Sequence, residues 1–168
     1  NKLHLFHDIL RGSLDQLYDI VCVTETWLND TYPDSLLTSG FPYNVYRSDR
    51  QHKGGGGCAI FVNTSLSVSR LELLMQLHDL DAVAVVIHTC AMPLVVCCIY
   101  NASGSSAPSI KVLCDVIHYL CNNYCCVCLL GDLNIALLEP CLSYRISVPD
   151  VLFPLVNALH THSLDQIA

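Results

Sequence analysis

Apolar residues along this chain recur at two spacings, and the switches between them outline its elements. Leu3, Phe6, Leu10, Leu14 and Leu17 return every three or four positions, which predicts an amphipathic helix over residues 2–17. Residues 19–24, Asp-Ile-Val-Cys-Val-Thr, read as a buried strand. Pro33, Gly40 and Pro42 break any period over 29–44, a loop-like stretch, and a short strand follows at 43–46. Four glycines at 54–57 precede Cys-Ala-Ile-Phe-Val at 58–62, another strand, and 66–74 alternate loosely. Residues 81–100 have the length of a membrane span and carry no Lys or Arg. His88 and Pro93 interrupt them, however, and 82–87 are rich in β-branched side chains. Two strands, 82–88 and 94–100, joined by a turn through 89–93, are the better account. Ile110, Leu113, Ile117 and Leu120 give a second helix with one apolar face. The run 125–130 then reads as a strand buried on both faces. A weaker pattern suggests a helix near 150–159, and 161–167 resemble the start of a further strand. Strands outnumber helices, so the expected fold is α/β, with helices covering a mainly antiparallel double sheet.

Length and composition narrow this picture. At 168 residues the chain is one domain's worth, with enough apolar residues, 52%, for a substantial core. Charged residues make up only 14%, low for an ordinary soluble surface. The net charge of −7 argues against strong nucleic-acid binding through phosphate contacts by this segment alone. Most of the eleven cysteines lie inside apolar runs. Neighbours on a strand point to opposite faces, so adjacent cysteines cannot share one tetrahedral metal, and they read as small buried hydrophobes. Their odd number and the absence of a signal peptide point to a reducing, intracellular compartment, nuclear or cytoplasmic.

The chemistry concentrates where the apolar run 125–130 meets Gly131-Asp132-Leu133-Asn134. A strand continuing through Asp132 and Asn134 would point both the same way, at the carboxyl end where open sheets place ligands. One carboxylate and one amide facing one spot could hold a water, a metal or a phosphate oxygen. A polar strand cap leading into a turn is the competing account, and these residues alone leave both open. Glu25 stands at the end of another strand; alone it reads as a solvated acid entering a loop, and paired with Asp132 it becomes half of a candidate metal site. Arg47, Arg50 and Lys53 form the only basic cluster beside the four glycines. A strand rather than a helix follows those glycines, which excludes a P-loop and leaves a hairpin loop with some phosphate contact.

Taken in order, Glu25-Thr-Trp-Leu, Tyr-Arg47-Ser-Asp-Arg50 before Gly54 to Gly57, Cys-Cys-Ile-Tyr100 and Leu-Leu-Gly-Asp132-Leu-Asn134 closely resemble the endonuclease domain of non-LTR (LINE-type) retrotransposons. That domain is grouped with apurinic endonucleases and DNase I in the endonuclease/exonuclease/phosphatase superfamily. The resemblance spans nearly the whole chain and implies a DNase I-like four-layer α/β sandwich. It implies magnesium-dependent nicking of DNA, with manganese as a substitute ion, and a reverse transcriptase domain in the full-length protein; no membrane is expected. By matched position, Glu25 would be the metal ligand and Asp132 would position or deprotonate the attacking water. Asn134 would hold that water and the phosphate, Tyr100 would contact the phosphate or stabilise developing charge, and Asp165 would orient a catalytic histidine. Arg47, Arg50 and Lys53 would touch the DNA backbone. The chain is expected to be a single domain, 1–168, without the family's first strand and its final Ser-Asp-His block. Asn1 therefore takes no metal role, and His160 and His162 stand in the wrong place to replace the missing histidine. Asn101-Ala102-Ser103 stands where Arg-Pro-Pro is usual. Two other functions stay in view: a phosphoesterase of the same superfamily acting on inositol phosphates or sphingolipids, and a non-catalytic relic or interaction module.

Overall fold

The computed structural model describes residues 2–15, 18–50, 54–75, 77, 80–102, 106–135 and 153–162. The elements, in chain order, are α1 (Lys2–Asp15), β1 (Ile20–Thr24), α2 (Asp34–Leu37), β2 (Tyr43–Ser48), β3 (Cys58–Asn63), β4 (Val68–Leu71), β5 (Leu80–Ile87), β6 (Leu94–Asn101), α3 (Ala107–Asn123), β7 (Cys126–Asp132) and α4 (Phe153–Thr161). They build two sheets, one ordered β1-β3-β2 and the other β4-β5-β6-β7. All pairings are antiparallel except β6 with β7, which α3 joins as a crossover.

Period-2 alternation sorts the apolar strand residues of the core into three layers. Val83, Val85 and Ile87 of β5, with Val96 and Cys98 of β6, meet Cys58, Ile60 and Val62 of β3 between the sheets. Ala82, Ala84 and Val86, with Val95, Cys97 and Ile99, turn the other way onto Ile110, Leu113, Ile117 and Leu120 of α3 and Leu155 of α4. Ala59 and Phe61 of β3, with Tyr43, receive Phe6 and Leu10 of α1 and Leu37 of α2. The result is four layers, helix, sheet, sheet, helix, held by aliphatic side chains that each contribute about 1.5–3 kcal/mol on full burial. Cys58, Cys97 and Cys98 pack within these layers as free thiols, and Cys97 is pushed up to about 12 by burial. Among the described residues no group of three or more His, Cys, Asp or Glu could hold a metal ion.

Four local expectations need correction. Residues 29–44 are not all loop, because Asp34–Leu37 form the short helix α2, seated by Leu37 in the core. Neither β1 nor β7 is fully buried: both are edge strands, so one flank of each lies open and their residues are half-buried or exposed. The last strand ends at Asp132 rather than running through Asn134, whose φ of 51° turns the chain out of the sheet. Thr161, placed at the start of a strand by its sequence, closes α4, and the rest of that stretch lies outside the described residues. The stretch 81–100 is a strand pair, β5 with β6, and no helix among the described residues is long and apolar enough to cross a membrane.

Candidate active site

Strand register lines up three polar residues at one end of the four-stranded sheet. Asp81 of β5 pairs with Tyr100 of β6, and Tyr100 pairs with Asp132 of β7. Tyr100 points between the sheets, since it packs with Cys98 and Val96. Glu25 arrives from the opposite sheet, immediately after β1, and its Oε1 accepts a hydrogen bond from the Tyr100 hydroxyl. Two edge strands thus bring exposed carboxylates to one phenol, Glu25 by a hydrogen bond and Asp132 by strand register.

The backbone is strained to do this. Glu25 and Trp27 both lie in the left-handed region, at φ 53° and 54°, where a side chain costs about 1–2 kcal/mol. The loop 54–57 holds them there: the Trp27 N–H donates to the Gly56 carbonyl at 2.8 Å and the Thr26 N–H to the Gly57 carbonyl at 3.3 Å. Across the row, Gly131 brings β7 against β6. Its φ is 133°, and a Cβ there would collide with the Ile99 carbonyl.

Charge around Tyr100 is uneven. Its hydrogen bond to Glu25, its burial and the charges of Glu25 and Asp132 push its pKa up to about 12, against a smaller opposing pull from Arg50. The phenol is therefore a protonated donor throughout the physiological range. Arg50 lies over its ring, 5.7 Å from the centroid, held by Asp81 through Nε at 3.2 Å and Nη2 at 2.5 Å. Asp81 also accepts the Gly57 N–H at 2.8 Å. Asn134 donates its backbone N–H to Asp132 Oδ1 at 2.9 Å and its side-chain amide to the Asn101 carbonyl at 3.0 Å. Asn101 is itself fully buried and takes the Ser109 hydroxyl.

A sandwich of this kind, with acids at one rim, invites comparison with known proteins. The model of the Endonuclease/Exonuclease/phosphatase family matches residues 1–146. The chain belongs to that family. Among solved structures it is similar to the endonuclease domain of TRAS1, a telomere-specific non-LTR retrotransposon, at 18% identity and a TM-score of 0.66, covering 96% of this chain and 67% of that one. It is similar to D. rerio TDP2 complexed with single-strand DNA product, at 16% identity and a TM-score of 0.53, covering 81% and 56%. It is also similar to ANGEL2, a 2′,3′-cyclic phosphatase, at 20% identity and a TM-score of 0.58, covering 80% and 45%. The chain thus spans between 45% and 67% of the length of these structures. No curated protein matches it.

Within this endonuclease/exonuclease/phosphatase sandwich the sequence-nominated residues divide. Glu25, Tyr100, Asp132 and Asn134 meet at the rim, and Arg50 joins them through the Tyr100 ring. Arg47 does not: alternation sends it to the outer face with Val45, where its Nε reaches Asp34 at 3.1 Å and its Nη2 reaches Asp49 at 3.5 Å. Lys53 and Asp165 lie outside the described residues. His162 bonds His118, ring nitrogen to ring nitrogen at 2.8 Å, away from the rim on the α3–α4 contact. Two residues of this rim were given no role from the sequence. Asp81 was legible as an acid opening an otherwise apolar run, and Trp27 as an aromatic two positions from Glu25.

Magnesium takes oxygen ligands and keeps several waters, so one or two carboxylates suffice to hold it. Glu25 and Asp132, both exposed and both acting on Tyr100, are a donor set of that chemistry.

Proposed function

We propose that this chain is the hydrolytic domain of a retrotransposon-derived protein and that it nicks DNA by hydrolysing one phosphodiester bond. The observation that carries this reading is the convergence of Glu25 and Asp132 on Tyr100 from two different sheets. Glu25, with Asp132 sharing the ion, would hold a divalent cation, magnesium or manganese, which when bound supplies positive charge to the phosphate oxygens. Asp132, exposed and at the strand's carboxyl end, is the group to orient and deprotonate a water for in-line attack. Asn134 fixes one oxygen of that carboxylate through its N–H. The Tyr100 hydroxyl, kept protonated, donates to a phosphate oxygen on which charge develops, moving its hydrogen bond from Glu25. The nicked 3′ end would prime a reverse transcriptase of the same protein, inside the cell in the nucleus or cytoplasm.

Supercoiled plasmid tests this reading, incubated with the chain and with the full reading frame that encodes it. Open circles that form with magnesium, disappear in EDTA and are absent for Asp132→Ala are expected. Intact plasmid with both wild-type proteins, in magnesium and in manganese, contradicts it. The pairing of Arg47 and Arg50 with carboxylates, on a chain of net charge −7, favours a non-catalytic module as the second reading. Metal binding without any nicking would favour that one.

A further inference from the structure

The Glu25 loop presents a second group to solvent, and the hydrolytic chemistry leaves it unused. Trp27 is 52% exposed, although it is the chain's single tryptophan and its neighbours Thr26 and Leu28 are buried. The left-handed residues on either side of Thr26 turn Glu25 and Trp27 outward together, and strain of this kind persists only where surrounding contacts enforce it. The Gly56 carbonyl enforces it here, and the indole rests on Gly55, where an added Cβ would stand 3.1 Å from Cζ2. The ring is thereby fixed at its edge, two residues from the carboxylate that faces the phosphate.

Electrostatics says what such a ring is for. A nuclease ordinarily gathers DNA with unpaired cations, but the two described members of the basic cluster, Arg47 and Arg50, are matched by Asp34, Asp49 and Asp81. Where phosphate attraction is weakened in this way, stacking on an aromatic face is a source of affinity that tolerates any sequence. A paired base is shielded within the duplex, so the base that reaches Trp27 is an unpaired one. We propose that Trp27 is a stacking platform for an unpaired nucleobase next to the scissile phosphate. This rests on the hydrolytic reading and adds to it the form of DNA that the site prefers.

The single indole makes the test direct. Trp27 fluorescence is followed in EDTA while a short single-stranded oligodeoxynucleotide is added, and in parallel an abasic strand of equal length and charge. Saturable quenching by the first and none by the second is expected. Trp27→Phe, followed by anisotropy of a labelled strand, should keep affinity near wild type, and Trp27→Ala should lose roughly 5- to 150-fold, the span seen when stacking aromatics are truncated. Equal quenching by the abasic strand, quenching that never saturates, or unchanged affinity in Trp27→Ala overturns the proposal. Should Trp27→Ala fail to fold, the two strands on the wild-type chain and the Trp27→Phe affinity decide alone. Plasmid nicking without base-dependent quenching defeats stacking only, whereas quenching without magnesium-dependent nicking defeats the nuclease reading.

Discussion

Asp81 and Asp132 flank the same tyrosine on neighbouring strands, yet their surroundings give them opposite work. Asp81 is buried, and among the described residues its carboxylate accepts two bonds from Arg50 and one from the Gly57 N–H, while its carbonyl accepts the Cys58 thiol. Asp132 is exposed, and among the described residues its carboxylate accepts only the Asn134 N–H. The difference follows from strand order. β5 is interior to its sheet and lies under the loop 54–57, whereas β7 is the edge. An acid in the interior must be matched to stay charged, and once matched it is architecture. An acid at the edge keeps its lone pairs for a water or an ion.

The largest effects should separate the two acids. Asp132→Ala is expected to lower plasmid nicking by about 10²–10⁴-fold, the usual worth of a positioned general base, with little change in melting temperature. A comparable loss of stability would erase the distinction. Asp81→Ala should do the reverse, costing about 3–5 kcal/mol in denaturant unfolding because it strands the Arg50 guanidinium. Replacing both partners, as in Asp81→Leu with Arg50→Met, should recover most of that loss. A double variant as unstable as the single one would show that the pair is not the unit.

A smaller effect tests how the row is brought together. Gly131→Ala places a methyl against the Ile99 carbonyl at a left-handed position, so about 1–3 kcal/mol should be lost and β7 pushed away from Tyr100. Unchanged nicking in that variant would mean that the spacing between β6 and β7 does not matter. The smallest effect concerns the phenol itself. Tyr100 has a folded pKa of about 12 against an ordinary value of 10, so its protonated form is the one that the fold stabilises. That contribution is complete below pH 10 and is lost as pH rises toward 12. Wild type should therefore lose more stability than Tyr100→Phe across that window, and parallel curves would contradict the Glu25 hydrogen bond.

Much of the architecture was legible because alternation is a local property. Ala82, Ala84 and Val86 against Val83, Val85 and Ile87 already announce a strand with two apolar faces, and the structure supplies a helix for one and a sheet for the other. What was not legible depended on neighbours distant in sequence. The same alternation, extended past Asp132, set Asn134 on the wrong course, because a left-handed residue bonded to the Asn101 carbonyl leaves no mark on periodicity. Arg47 looked like a phosphate contact while Asp34, its partner, sat in a stretch that Pro33 and Gly40 made resemble loop. Asp81 stood just before the strand expected at 82–88, and nothing nearby in sequence reveals Arg50 above it. The ordered blocks around Glu25, Tyr100 and Asp132 carried the family, because their spacing along the chain survives without knowledge of the fold.

The claim beneath all of this is that two carboxylates from separate sheets share one cation beside Tyr100. Titrating the chain with manganese and following the free ion by electron paramagnetic resonance tests it most directly. One bound ion per wild-type chain, displaced by magnesium and lost in Glu25→Gln and in Asp132→Asn over the range where wild type saturates, is the predicted result. Manganese binding that both variants retain would contradict the account.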